Sequence, residues 1–153
     1  MITKEEVLQA QKTWADGVIR IGSLMDDRDA CVKAAEEHVD TLYNFQNGPV
    51  LFKPTRAKDT QFRLNKESAV SYFVGGNERY AEDTGFALEP WVNVEFENAD
   101  IILDENRAIA MGNYHFTAKA GYTKKVEYTF GYAKSADGSL KIDVHHSSAP
   151  FSG

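Results

Sequence analysis

The sequence predicts an α+β fold, and three observations predict it. Apolar residues recur at three- and four-residue spacing from Val7 to Tyr43. Asn47-Gly48-Pro49 breaks that pattern. From Pro90 onward the period changes to two, the mark of long antiparallel strands. Helices first and a meander last is the α+β order. A curved sheet wrapped around a long amphipathic helix makes a cone with a pocket at its open end. The 153 residues suffice for one domain, spanning 1–153, with a real core.

Taken in order, the first helix starts at Thr3, with Glu6 completing a capping box. Val7, Ala10, Trp14, Val18, Ile21 and Met25 form one apolar face. Gly17 and Gly22 lower helix propensity and predict close packing against the sheet. Asp29 is placed as the N-cap of a second helix, whose buried side holds Val32, Ala35, Val39, Leu42 and Tyr43. His38 sits beside that stripe as a structural histidine. Val50-Leu51-Phe52 reads as a short strand and Gln61–Leu64 as a second extended piece. Asn65 caps a short helix containing Tyr72 and Phe73, halted by Gly75-Gly76. Asn77–Leu88 has no period and reads as a long loop. In the meander, Val92, Val94 and Phe96 share one face, opposite Trp91. The later runs alternate through Ala110, Tyr114 and Phe116, then through Val126, Tyr128, Phe130 and Tyr132, and end at Leu140–Ser148.

Composition narrows the function. The net charge of −6 argues against general nucleic-acid binding, which needs a basic face. No run is long enough to cross a membrane, and the acidic, helix-leading start lacks the pattern of a signal peptide, so cytoplasmic is the expected location. One cysteine, Cys31, allows no internal disulfide and reads as a buried thiol.

The chemistry concentrates in the last strand, Ile142-Asp143-Val144-His145-His146-Ser147-Ser148-Ala149-Pro150. Zinc requires three or four converging ligands, whereas adjacent histidines on a regular strand diverge; no metal and no other cofactor is expected. A Ser–His nucleophile lacks its strand–turn–helix elbow, and Gly75-Gly76 is a helix stop and no phosphate loop. Two readings remain: Tyr72 as core, Thr55 as a loop hydroxyl and the histidines as satisfied surface groups, or a polar pocket. Thr55 follows a strand bordering the sheet, Tyr72 lies on a short helix, and a histidine and a serine from the last strand complete the group. Such a cluster suits a small planar oxyanion. Regular alternation with Leu140, Ile142 and Val144 puts His146 and Ser148 on the apolar side; a bulge near the strand end exchanges them for His145 and Ser147.

The order of elements resembles the NTF2-like cone. The stretch Val50–Thr55, the segment Ser68–Gly76 and the ending His145-His146-Ser147-Ser148-Ala149-Pro150 resemble relatives of the calmodulin-dependent kinase association domain, and most closely the iota-class carbonic anhydrases. This resemblance covers nearly the whole chain. It implies reversible hydration of carbon dioxide to bicarbonate without metal, with zinc or manganese as the family's alternative. It also implies a catalytic set of Thr55, Tyr72, His145 and Ser147, with His146 and Ser148 as further substrate-binding candidates. Thr55 and Ser147 would then position a water, Tyr72 and the histidine would polarise it or relay its proton, and carbon dioxide would lie against Trp14 and Phe52. The alternative is a non-catalytic association module that binds a small carboxylate. Aromatic residues expected on the outer face of the meander, Trp91, Tyr128 and Tyr132, predict a homodimer.

Overall fold

The computed structural model describes residues 1–153. Helix α1 covers Lys4–Ser23, α2 covers Arg28–Leu42 and α3 covers Lys66–Val74. Strand β1 covers Leu51–Lys53, β2 Trp91–Leu103, β3 Arg107–Ala118, β4 Thr123–Lys134 and β5 Leu140–Ser148. One sheet orders them β1-β5-β4-β3-β2, antiparallel except that β1 runs parallel to β5 at the edge.

The local chemistry of α1 behaves as expected. Thr3 Oγ1 accepts the Glu6 N–H and the Glu6 carboxylate accepts the Thr3 N–H, so both orphan donors are satisfied. The buried face of α1 is Val7, Gln11, Trp14, Ala15, Val18 and Ile21; Met25 lies beyond its end and is exposed. Helix α2 is capped by Asp27, whose side chain accepts the Ala30 N–H at 3.2 Å, and not by Asp29, which falls within the first turn. The two glycines of α1 face neighbours other than the sheet. A Cβ on Gly17 would come within 2.1 Å of His38 Nδ1 on α2, and one on Gly22 within 2.3 Å of the Ala87 carbonyl. Only residues without a side chain let those elements approach so closely.

Residues 61–64 form no strand, because a buried charge dominates there. Arg63 is fully buried, while Phe62 and Leu64 on either side are exposed. Its guanidinium makes a two-pronged pair with Asp83 at 2.8 Å for both contacts and donates to the Thr60 and Ser68 carbonyls. The loop 77–88 folds into two single 3-10 turns, Glu78–Tyr80 and Phe86–Leu88, and is pinned to α3 where the Ser71 hydroxyl donates to Asp83 at 2.6 Å.

Register shifts decide which faces look inward. Between Trp91 and Asn93 the β2–β3 pairing slips by one residue, so Trp91 is buried and Val92 is half exposed, opposite to a regular alternation. A second slip lies between Asn98 and Asp100. Between β4 and β5, Tyr132 pairs with Ile142 and Gly131 with Val144, leaving Asp143 as an extra residue. Trp91, Tyr128 and Tyr132 all point into the core at 1–2% exposure, Tyr128 and Tyr132 by plain alternation with Phe130, so the aromatic outer face expected from a sheet with few helices to cover it does not form. The outer face instead exposes Val92, Ile102, Ile109 and Met111.

Candidate active site

The bulge at Asp143 sets the parity of everything after it. Ile142 faces the core, and by simple alternation Val144, His146 and Ser148 would follow it. With one residue inserted, His145 and Ser147 turn inward, at 2% and 1% exposure. His146 is exposed on the outer face opposite Thr129, and Ser148 there reaches the Glu127 carboxylate at 3.3 Å. The expectation that His146 and Ser148 touch the pocket thus meets a strand that turns them away from it. Arg107 stabilises the bulge from β3, gripping the Asp143 carboxylate through both terminal nitrogens, at 2.5 and 3.0 Å.

His145 is the centre of the interior. Its register partners are Phe52 on β1 and Phe130 on β4, and their rings lie nearly parallel to the imidazole at centroid distances of 4.7 and 4.0 Å. Both ring nitrogens are engaged. Nδ1 lies 2.8 Å from the Tyr43 hydroxyl and Nε2 lies 3.1 Å from the Tyr114 hydroxyl. Burial in this aromatic slot holds the imidazole well below the usual histidine range, so it is neutral at physiological pH. Tyr43 comes from the end of α2, where an isolated parallel bridge to Ile142 lays it along β5.

From Tyr114 the network continues outward. Its hydroxyl meets Ser147 Oγ, which in turn lies 2.5 Å from Thr55 Oγ1. Pro54 follows the last residue of β1, so Thr55 sits where the edge strand leaves the sheet. The following loop is held by Glu82, whose carboxylate accepts the N–H groups of Lys58, Asp59 and Thr60; those bonds lower its pKa. Tyr72 on α3 completes the wall. Its hydroxyl accepts the Arg56 N–H at 3.2 Å, leaving its own proton for a neighbour or a bound molecule. Burial pushes Tyr72 up to about 12 and Tyr114 higher still, so both stay protonated donors.

Thr55, Tyr72, His145 and Ser147 therefore line one buried cavity with Tyr114, Trp14, Phe52, Phe73 and Phe86. About 10 Å³ of it is open to the centre of a water molecule, room for roughly one. Thr55 and Phe86 also belong to a wider cleft of about 280 Å³ at the mouth of the cone, with Trp91, Phe116 and Val126 as apolar walls and Arg56, Lys124 and Lys125 at its rim. Tyr114 and Tyr43 were not recognised as site residues in the sequence. The signal for Tyr114 was its phase, since a tyrosine on the core face of a long strand must find its hydroxyl a partner. No three histidine, cysteine, aspartate or glutamate side chains converge as a metal-ligand group.

A curved sheet closed around helices, with polar groups at the open end, defines the NTF2-like cone. A putative dehydratase of the NTF2-like family from Streptomyces avermitilis shares it, with a TM-score of 0.54 over 97% of this chain and 96% of that one at 15% identity. A putative calcium/calmodulin-dependent kinase II association domain from Xanthomonas campestris does so at a TM-score of 0.63, 24% identity and coverage of 100% and 91%. At those identities the likeness is one of fold.

Sequence similarity goes further. Residues 5–149 match the model of the metal-independent carbonic anhydrase family, and the chain belongs to that family. It is 43% identical, over 98% of its own length and 75% of the relative's, to a metal-independent carbonic anhydrase from Nostoc sp.. The crystal structure of a cyanobacterial iota-carbonic anhydrase complexed with bicarbonate superimposes with a TM-score of 0.96 at 40% identity, covering 99% of this chain and 94% of that one.

Proposed function

We infer that this protein catalyses the reversible hydration of carbon dioxide to bicarbonate at the hydroxyl-lined cavity, acting as an iota-class enzyme without a metal. The supporting observation is the convergence of the Thr55, Tyr72, Tyr114 and Ser147 hydroxyls on a buried space the size of a water, next to an apolar cleft with a cationic rim. In this reading water occupies the inner cavity, held by Thr55 and Ser147. Carbon dioxide occupies the cleft against Phe86, Trp91 and Phe116, and the two meet at Thr55. The water oxygen attacks the carbon, one C=O π pair moves onto oxygen, and Thr55 and Tyr72 donate hydrogen bonds to the charge as it develops. These donors are fixed before the reaction, so no reorganisation is needed when the charge appears. The proton lost from water leaves through the mouth to solvent. No buried group holds it, because His145 is kept neutral by burial and the tyrosines stay protonated. Bicarbonate then departs past Lys124 and Lys125, whose charge favours an anion in a protein of net charge −6, while Arg56 beside them is paired with Glu89 at 3.0 Å.

Stopped-flow carbon dioxide hydration by chelator-treated protein tests this. The expected result is catalysis above the buffer rate that added zinc or manganese leaves unchanged; a rate equal to buffer in every condition overturns it. A cytoplasmic setting suits the one cysteine, Cys31, a buried thiol. No helix is long and apolar enough to cross a membrane. A homodimer through the outer face of β2 and β3 also belongs to this reading, now supported by Ile102, Ile109 and Met111 in place of aromatics. Light scattering at micromolar concentration checks it, with a dimer for the parent and a monomer for Ile102→Lys with Met111→Lys; a monomeric parent overturns it.

A further inference from the structure

The hydrogen bonds through the interior form a single file. Trp14 Nε1 donates to the Tyr43 hydroxyl at 3.0 Å, and the file then runs Tyr43, His145, Tyr114, Ser147, Thr55. An indole N–H can only donate, whereas each hydroxyl has one proton to give. That difference fixes the direction of the whole file. Tyr43 is 1% exposed, its oxygen already receives the Trp14 proton, and the acceptor within reach of its own proton is His145 Nδ1. If Nδ1 were protonated, it and Trp14 would both donate to Tyr43, and the Tyr43 proton would be buried without a partner. A buried unpaired donor of that kind disfavours the Nδ1–H tautomer by roughly 10- to 100-fold.

His145 is then the Nε2–H tautomer. Nε2–H donates to Tyr114, Tyr114 to Ser147, and Ser147 to Thr55, so the Thr55 proton is the one left to point at the reacting molecule. We propose that Tyr43, closed off behind by the donor-only Trp14, is a positioning residue that sets the tautomer of His145 and thereby holds the Thr55 hydroxyl as a donor towards nascent bicarbonate. The buried imidazole acts as a donor link in this file and not as the base that takes the proton of water. Bonds aligned in one direction also polarise one another, so the last donor is stronger than an isolated threonine. The tautomer follows from the hydrogen-bond geometry alone, while its effect on turnover rests on the carbonic anhydrase reading.

Nitrogen-15 NMR of imidazole-labelled protein tests the two parts separately. The parent is expected to show His145 with a protonated, pyrrole-type Nε2 and a pyridine-type, hydrogen-bonded Nδ1. A protonated Nδ1 overturns the proposal, and this measurement needs neither a variant nor catalysis. In Tyr43→Phe the Nδ1 resonance should move towards that of a bare pyridine-type nitrogen, and kcat should fall roughly tenfold with KM nearly unchanged. An unmoved Nδ1 resonance, or full kcat in a folded Tyr43→Phe protein, overturns the positioning role. If the parent shows the Nε2–H tautomer but no hydration, the carbonic anhydrase reading fails while the tautomer assignment stands.

Discussion

Replacing Ser147 by alanine removes one oxygen that serves two bonds. Ser147 Oγ receives the Tyr114 hydroxyl and lies 2.5 Å from Thr55 Oγ1, in a part of the core that is 1% exposed. Without it the Tyr114 proton is buried unpaired, which costs about 1–3 kcal/mol of stability. For a chain of this size that is a fall in Tm of roughly 3–10 °C. Thr55 also loses the neighbour that orients it. Fixed donors to a developing oxyanion contribute about 2.7–4 kcal/mol, so hydration should drop by about 10²–10³-fold. Ser148→Ala is the control, because the next residue lies on the outer face and bonds only Glu127. It should leave the rate unchanged and shift stability by no more than about 0.5 kcal/mol. Stopped-flow hydration and thermal melts on the two variants decide the matter. Equal effects from the two serines, or full activity in Ser147→Ala, would refute the inward assignment that the Asp143 bulge creates.

Three further outcomes are expected. Tyr72→Phe should lower hydration by about tenfold or more with little change in Tm, because its hydroxyl accepts a single part-buried N–H from Arg56; full activity would remove Tyr72 from the site. His145→Gln should abolish most activity and lower Tm, since it empties the slot between Phe52 and Phe130, whereas His146→Gln should do neither; comparable losses from both would contradict their opposite faces. Acid should destabilise the fold early. Burial holds His38 down to about 3 and His145 well below the ordinary histidine range, so both take up a proton on unfolding. Their stabilisation is complete well above the unfolded value near 6.5 and is lost as pH falls through it towards the folded values, each histidine contributing at most about 1.4 kcal/mol per pH unit. For His38 that is roughly 2 kcal/mol between pH 7 and pH 5, with a further loss of the same sign from His145, and equal urea midpoints at the two pH values would rule it out.

Periodicity read well where it was long. Helix α1, its Thr3–Glu6 cap, the Asn65 cap of α3 and the meander all stand where the residue pattern puts them. It failed at single-residue events, because a period of two contains no sign of an inserted residue. Val92 and Trp91 exchanged faces for that reason, and the choice between the two His–Ser pairs stayed open until the pairing of Gly131 and Tyr132 with β5 was known. Arg63 was read as part of a short extended piece because its partner, Asp83, lies twenty residues away in a loop with no pattern. The Tyr43 and Tyr114 hydroxyls were hidden differently, since each looks like any core aromatic until a strand partner supplies its acceptor. Of the site, the residue types and their strand were legible; the wiring between them was not.

The extra residue at Asp143 also bears on how this chemistry could be moved to another scaffold. Many cones share the helices and the meander, and the terminal His-His-Ser-Ser string looks like a portable cassette. Copied alone onto a regular final strand in phase with its core residues, that string would present His146 and Ser148 to the interior and send His145 and Ser147 into solvent. The transferable unit therefore starts upstream of the motif, at Ile142, and includes the bulge, the Gly131–Tyr132 step that faces it and Arg107 that grips it. None of those residues touches the cavity, yet a one-residue deletion among them would invert the site while leaving each of its side chains in the sequence.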